Sequence, residues 1–435
     1  MPSVNPVQTN NNKGYRKQII TIGAFFFIFG FITWINGTLI PYLRIACELE
    51  EWQAYLVTFA FYISYTVMAI PSGRILQRTG IIKGMRIGLI IMAVGCILFI
   101  PAALIRYYPL FLLGLFIVGT GTTLLQTAVN PYITLLGAPE KAAQRISIMG
   151  ICNKFAGVLA PIILGAIILK NSDGLIKRLQ LMPASSKTAF LNNLAHTVIL
   201  PYCILAALLL IIAYAIKFAH LPEIEPPAIN TDDELIPTLP LKQRLNFFLG
   251  FLATFSAVGL EVIAGDTIGN YGIYHGLSLN VAKSLTSYTL ACTMIGYLFG
   301  AYAIPKLITQ EKAYFYSSCL GIGVALLAMF IPGSTSIAFI ALLGLTNAIL
   351  WPAIWPKALK GLKGTALNTG SAVLIMGIAG GAIMPLLYAL LAKGINNQYA
   401  YVIVIPCYLF NVYYCLRGKK QTRRVKLHMN TPASL

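Results

Sequence analysis

Residues 221–242 read LPEIEPPAINTDDELIPTLPLK, and this stretch decides how the chain is organised. Pro222, Pro226, Pro227, Pro237 and Pro240, with Glu223, Glu225, Asp232, Asp233 and Glu234, resist helix and leave little apolar surface to bury. They predict a polar tether. On either side of it lie six long apolar stretches. A hydrocarbon layer about 30 Å thick needs roughly 20 helical residues to cross. Such crossings are expected near 19–42, 54–76, 85–104, 110–136, 146–169 and 198–218. The second set is expected near 247–271, 282–307, 313–331, 336–355, 367–391 and 400–416.

Composition agrees with this reading. Of 435 residues, 57% are hydrophobic and only 10% charged, which leaves no room for a water-soluble enzyme domain. The expected fold is therefore all-α integral membrane, with twelve transmembrane helices in two pseudo-symmetric six-helix bundles. The expected division is an N-terminal tail (1–18), a first bundle (19–220), a linker (221–242), a second bundle (243–417) and a basic tail (418–435).

Orientation follows from Lys and Arg, because short basic loops stay in the cytoplasm. Placing both tails inside puts 23 of the 32 Lys and Arg on that face, leaves eight outside, and sets Lys154 within a span. The outer segment 170–187, with four basic residues, runs against the rule. The formal charge of +19 would also suit nucleic acid. Its clustering at span ends favours topology and anionic lipid headgroups instead. The first apolar run is too long for a cleaved signal peptide. Eight Cys without a C-x-x-C predict neither a disulfide framework nor a metal site.

A faint echo relates the halves: Ala156-Gly157-Val158-Leu159-Ala160-Pro161 lines up with Gly380-Gly381-Ala382-Ile383-Met384-Pro385, each in the fifth span of its half. After span two comes Gly73-Arg74-Ile75-Leu76-Gln77-Arg78-Thr79-Gly80-Ile81-Ile82-Lys83. This resembles the loop motif of the major facilitator superfamily, with Gln77 where an Asp is usual. The resemblance implies a conformational loop at Gly73, Arg74, Arg78 and Gly80 that helps latch the halves, weakened here by the missing Asp.

A narrower resemblance, to the fucose, glucose and galactose cation symporters (glucose-galactose permease-like branch), spans nearly the whole chain. It rests on Phe29-Gly30-Phe31, Asn36-Gly37 and Pro41 in span one and on Gln126 to Tyr132 (QTAVNPY) in span four. Gly150 to Phe155 (GICNKF) in span five and Glu261 to Asp266 (EVIAGD) in span seven complete it. The fucose branch carries acids in spans one and four, at positions that fall here on Gly37 and Gln126. Neither holds a proton.

Only Glu261 and Asp266 remain as acids inside expected spans, and a mid-membrane charge costs about 2.5–3.5 kcal/mol on insertion scales. They are the candidate cation-coupling residues. Five positions on a helix separate them by about 140°, so one is expected to face the cavity and the other a neighbouring helix. Gly265 and Gly269 are expected to loosen the helix and offer carbonyls to a cation. The competing reading is a structural ion pair, with Lys154 as charge partner across the halves.

Sugar recognition needs amides for hydroxyls and aromatic rings for the CH face. Candidate substrate-binding residues are Asn36, Gln126, Asn130, Asn153, Asn270 and Trp351, the last favoured over Trp355. Interhelical hydrogen bonds are the alternative role for the amides, and Asn130 also has Pro131 beside it to serve. No catalytic residue or metal ligand set is expected, and no cofactor beyond co-transported H⁺ or Na⁺.

The expected function is secondary active import of a hexose, glucose or galactose in type, by cation symport through alternating access. Alternatives are an N-acetylhexosamine or fucose symporter, an uncoupled facilitator, or a transporter-like sensor. Expected partners are a small-molecule sugar, a coupling cation and membrane lipids, with no nucleic acid. A monomer is expected, multi-pass in a plasma membrane of bacterial inner-membrane type, with both termini cytoplasmic.

Overall fold

The computed structural model describes residues 12–135, 142–169, 175–218, 221, 240–304, 306–362 and 364–429. Among the described residues, eleven segments are long and apolar enough to cross a membrane: Tyr15–Ala46, Glu51–Thr79, Ile81–Leu104, Tyr108–Asn130, Ile148–Ile168 and Ala184–Phe218 in the first half. Leu241–Asp266, Gln310–Phe330, Ser334–Ala358, Thr369–Gly394 and Tyr399–Arg417 follow in the second. The twelfth crossing, span eight, is the helix Leu285–Ala303. Its buried Thr286, Ser287, Thr289 and Thr293 lower its apolar character and face protein rather than lipid. The tether expected at 221–242 falls, for residues 222–239, outside the described residues.

Two ends of the bundle can be told apart. At one, which we call the terminal face, Arg86 at the start of span three donates to the carbonyl of Ala213 late in span six (3.2 Å). There Lys357 of span ten also donates to the carbonyl of Cys415 in span twelve (2.8 Å). At the far face the Tyr42 hydroxyl of span one reaches the carbonyls of Leu194 (2.8 Å) and Ala195 (2.9 Å). Those carbonyls end a helix that the sequence reading missed, Ala184–His196, in a segment expected to be a basic loop. Lys187 on it pairs with Glu48 at 2.7 Å.

Without a hydrophobic drive between helices in lipid, close backbone approach and hydrogen bonds supply the packing. Spans three and four show this most fully. A Cβ at Gly88 would meet the Gly121 carbonyl at 2.9 Å, and one at Gly95 would meet the Gly114 carbonyl at 2.8 Å. The two glycine pairs are seven residues apart on both helices, so they form one seam where only hydrogen fits.

The halves meet along spans five and eight on one side and spans two and eleven on the other. The echo noted in the sequence lies on these seams: a Cβ at Gly157 would meet Trp34 of its own half and, at 3.1 Å, Leu290 of the other. A Cβ at Gly381 would meet Val262 of its own half at 3.0 Å and Tyr62 of the other at 3.1 Å. Pro161 and Pro385 sit inside the corresponding helices.

The motif after span two is mostly not a loop. Residues 73–79 are the last turns of the helix Leu56–Thr79. The turn is Gly80 alone, at φ +82°, which any side chain would strain, and the next helix starts at Ile81. Gly73 is buried while Arg74 and Arg78 are exposed. The last helix runs on past span twelve through Met429.

Candidate functional site

At the level of Lys154 the two halves are joined by charge. Lys154 of span five is 8% exposed, and its ammonium pairs with the Glu261 carboxylate of span seven. The same ammonium lies 4.9 Å from the Trp34 ring centroid and 5.9 Å from that of Tyr297 in span eight. Trp34 itself fills the space over Gly157 and Gly265. Thus Gly157 and Gly265 admit the indole, and the indole and carboxylate together accommodate a cation that could not snorkel.

Asp266, on the same helix, is turned elsewhere, as the 140° offset requires. It is 1% exposed. Its Oδ2 accepts from the Thr58 hydroxyl of span two at 2.9 Å, while Oδ1 has no partner among the described residues. One turn on, the Asn270 Nδ2 donates to the Tyr55 hydroxyl of span two at 3.3 Å, and its Oδ1 likewise has no partner among the described residues.

The carbonyls around Gly265 are not open to a cation, contrary to the expectation from its glycines. Thr286 donates to the Gly265 carbonyl (2.7 Å) and Thr289 to that of Ala264 (3.2 Å). The helix does break at Thr267, between Leu241–Asp266 and Ile268–Tyr274. The Thr267 hydroxyl returns to the Ile263 carbonyl (2.6 Å).

The sugar candidates separate into groups. Gln126 donates to the Tyr65 hydroxyl (2.8 Å), and Tyr65 stacks on Tyr62 with centroids 6.2 Å apart. Asn36 is fully buried, and among the described residues neither of its amide atoms has a partner. Asn153 turns to span one, donating to the Phe26 carbonyl (3.3 Å), with Gly30 packed against it. Asn130 is exposed, one turn beyond Gln126. Trp351 is half-buried and leans on Trp355, with centroids 5.2 Å apart at 32°. Among the described residues, no hydrogen bond or ring contact joins it to the first-half amides.

Sequence reasoning missed Trp34, Thr58, Tyr55, Tyr62 and Tyr65. Trp34 lies two residues from Asn36 and carried a readable signal as a buried aromatic beside an amide. The hydroxyls of span two carried none.

The far mouth is shut. Lys393 pairs with Glu50 (2.9 Å) and Asn397 donates to Glu51 (2.9 Å). Lys283 donates to the Leu169 carbonyl (3.2 Å) and Ser287 to that of Val158 (2.7 Å). Each of these contacts joins the first half to the second.

Two six-span bundles meeting around a polar, charge-paired centre define a polytopic membrane protein of the secondary-transporter kind. Residues 22–385 match the Major Facilitator Superfamily, and the chain belongs to it. It is 33% identical over 431 residues to a glucose/galactose transporter of Brucella abortus, covering 97% of this chain and 99% of that protein. It is 27% identical over 384 residues to an L-fucose-proton symporter of Escherichia coli, 86% of each. Its fold matches the crystal structure of a Major Facilitator Superfamily transporter, FucP, in the outward conformation. That match has a TM-score of 0.70 at 26% identity, over 92% of this chain and 98% of that one.

Proposed function

We propose that the chain imports a hexose, glucose or galactose in type, by symport with a monovalent cation, H⁺ or Na⁺. The terminal face is the cytoplasmic one in this reading, because Lys and Arg concentrate there. The membrane is then a bacterial inner membrane, as the source of the relatives suggests. The named activities of the Brucella and Escherichia relatives support a sugar as cargo. No covalent chemistry is implied.

The observation that carries the reading is the polar seam between the halves, from Lys154 and Glu261 at the centre to Glu50 and Lys393 at the far mouth. A channel needs no such seam; a transporter that rocks its halves must make and break one in every cycle. Sugar bound near the centre through Gln126, Asn36 and Trp351 favours closure. A cation held by Glu261 or Asp266 favours the same closed state, and two ligands that prefer one state are thermodynamically linked.

Proteoliposomes loaded with no sugar and given an imposed Na⁺ or pH gradient test this. Uphill accumulation of labelled hexose under one of the two gradients is expected, competed by glucose and galactose more than by fucose or N-acetylglucosamine. Exchange without response to either gradient means an uncoupled facilitator, and binding without exchange means a sensor.

A further inference from the structure

We infer that Asp266, Asn270 and Thr58 form the seat of the coupling cation, and that filling it is the condition for closing the far mouth. This rests on the symport reading and says which of the two acids serves it.

The two carboxylates of span seven differ in one respect that decides their roles. Glu261 already has its counter-charge in Lys154. Asp266 has none: among the described residues no Lys, Arg or His pairs with it, although it is 1% exposed. Thr58 gives it one neutral hydrogen bond. The other groups around it supply no positive charge. Tyr62 lies one turn beyond Thr58 on span two, and Trp34 of span one covers the adjacent Gly265. Thr286 and Thr289 of span eight are spent on backbone carbonyls. Thr267 bonds the Tyr401 hydroxyl. A buried carboxylate with no counter-ion is not sustained; it must hold a proton or a metal cation when the halves are closed.

The free ligands are present. Among the described residues, Oδ1 of Asp266 and Oδ1 of Asn270, the latter 2% exposed, are both without partners. They lie one helical turn apart and on the side that meets Thr58 and Tyr55, themselves three residues apart on span two. A carboxylate, an amide oxygen and a hydroxyl are a hard oxygen set, suited to Na⁺. A proton on Asp266 satisfies the same charge. The shared chemistry is a small monovalent cation.

The site is also divided between the halves: Thr58 and Tyr55 belong to the first, Asp266 and Asn270 to the second. When the far mouth opens, span two leaves span seven, and an empty, hydrated carboxylate is then tolerable. When it shuts, the carboxylate loses water and must be occupied. Cation entry and closure become one event, which is what coupling requires.

The test uses purified parent, Asp266→Asn, Asn270→Ala and Thr58→Val in proteoliposomes under Na⁺ or pH gradients, with exchange measured in parallel. The parent is expected to accumulate hexose under one gradient, which identifies the cation. D266N is expected to lower the ratio of accumulation to exchange about tenfold or more, and N270A and T58V to raise the half-maximal cation concentration about tenfold. D266N accumulating as the parent does would overturn the proposal while leaving symport intact. A parent indifferent to both gradients defeats symport itself. The site is then judged by thermal stability, since a ligand of the closed state raises the melting temperature. A rise with Na⁺ or with acidity that D266N abolishes supports the seat, and identical responses overturn it. Should D266N not fold, N270A and T58V carry the same comparison, and unchanged cation dependence in both overturns it.

Discussion

Gly37 of span one lies directly against Thr286 of span eight, so that a Cβ built at position 37 would fall 2.9 Å from the Thr286 Cγ2. The acid that the resemblance to the fucose branch implies for this position is therefore more than absent. The space for it is taken by packing between the halves.

Restoring that acid should consequently harm the protein. Gly37→Asp or Gly37→Ala is expected to oppose closure at a cost of ~1–3 kcal/mol, the usual penalty of overpacking, and to slow hexose exchange. Thr286→Ala removes the Oγ1 and Cγ2 that an added Cβ would meet and is expected to recover part of the G37A loss. Exchange rates for the single and double variants check this. Equal rates for G37A and parent would show that the contact yields freely.

The Lys154–Glu261 pair makes a different prediction. Removing one partner leaves a buried charge alone and costs about 3–5 kcal/mol, whereas replacing both is often close to neutral. Lys154→Met and Glu261→Gln are each expected to lower the melting temperature, and K154M/E261Q to be more stable than the sum of the two losses. A thermal double-mutant cycle reads the coupling. Strict additivity would mean the pair contributes nothing.

How far the sequence carried this site depends on how many partners each residue had to choose from. Away from the span ends stood a single cation, Lys154, and two acids, so a pairing across the halves was readable, and Glu261 took it. The 140° offset was enough to predict that the two acids do not share one stripe, though not which of them faces another helix. Which helix was not readable, because Thr58 and Tyr55 resemble every other hydroxyl in a span, and their register against span seven is set by tertiary packing. The same limit hid the helix Ala184–His196. Its Ser-Ser-Lys-Thr start has no long apolar window, and its anchors, Tyr42 and Glu48, lie more than a hundred residues away. Span eight was readable despite its four hydroxyls because its length and its place between two loops left no other role.

At the far mouth, Glu50 gives a pH dependence. Hydrogen bonds from Lys393 and then Trp52 hold its carboxyl below the usual range. A depressed carboxyl stabilises the paired state above its free pKa, and that contribution is lost as pH falls through the lowered value. Acidification below the carboxylate range is thus expected to loosen the far mouth, and high salt to do the same, since both groups are exposed. Lys393→Met should flatten both responses. Distances between spin labels placed at the ends of spans two and eleven, read against pH and salt, check this. A parent and K393M with the same profile would remove Glu50 from the gate.

Trp351 and Trp355 share a helical face, and their rings lie 5.2 Å apart at 32°. A sugar ring needs one apolar platform, and the structure orders the two. Trp355 lies one turn closer to the terminal face, in the helix Leu350–Ala358 that ends there, whereas Trp351 stands one turn deeper and leans on it. If Trp351 is the platform, Trp351→Ala removes the stacking surface and raises the half-saturating hexose concentration roughly tenfold, ~1.4 kcal/mol. Trp351→Phe keeps a smaller ring and should cost less. Trp355→Ala removes only the support behind the platform, so its effect should fall between those of parent and W351A. Uptake measured across hexose concentrations separates the cases: a W351A defect confined to the maximal rate would place Trp351 in the moving parts and not on the sugar.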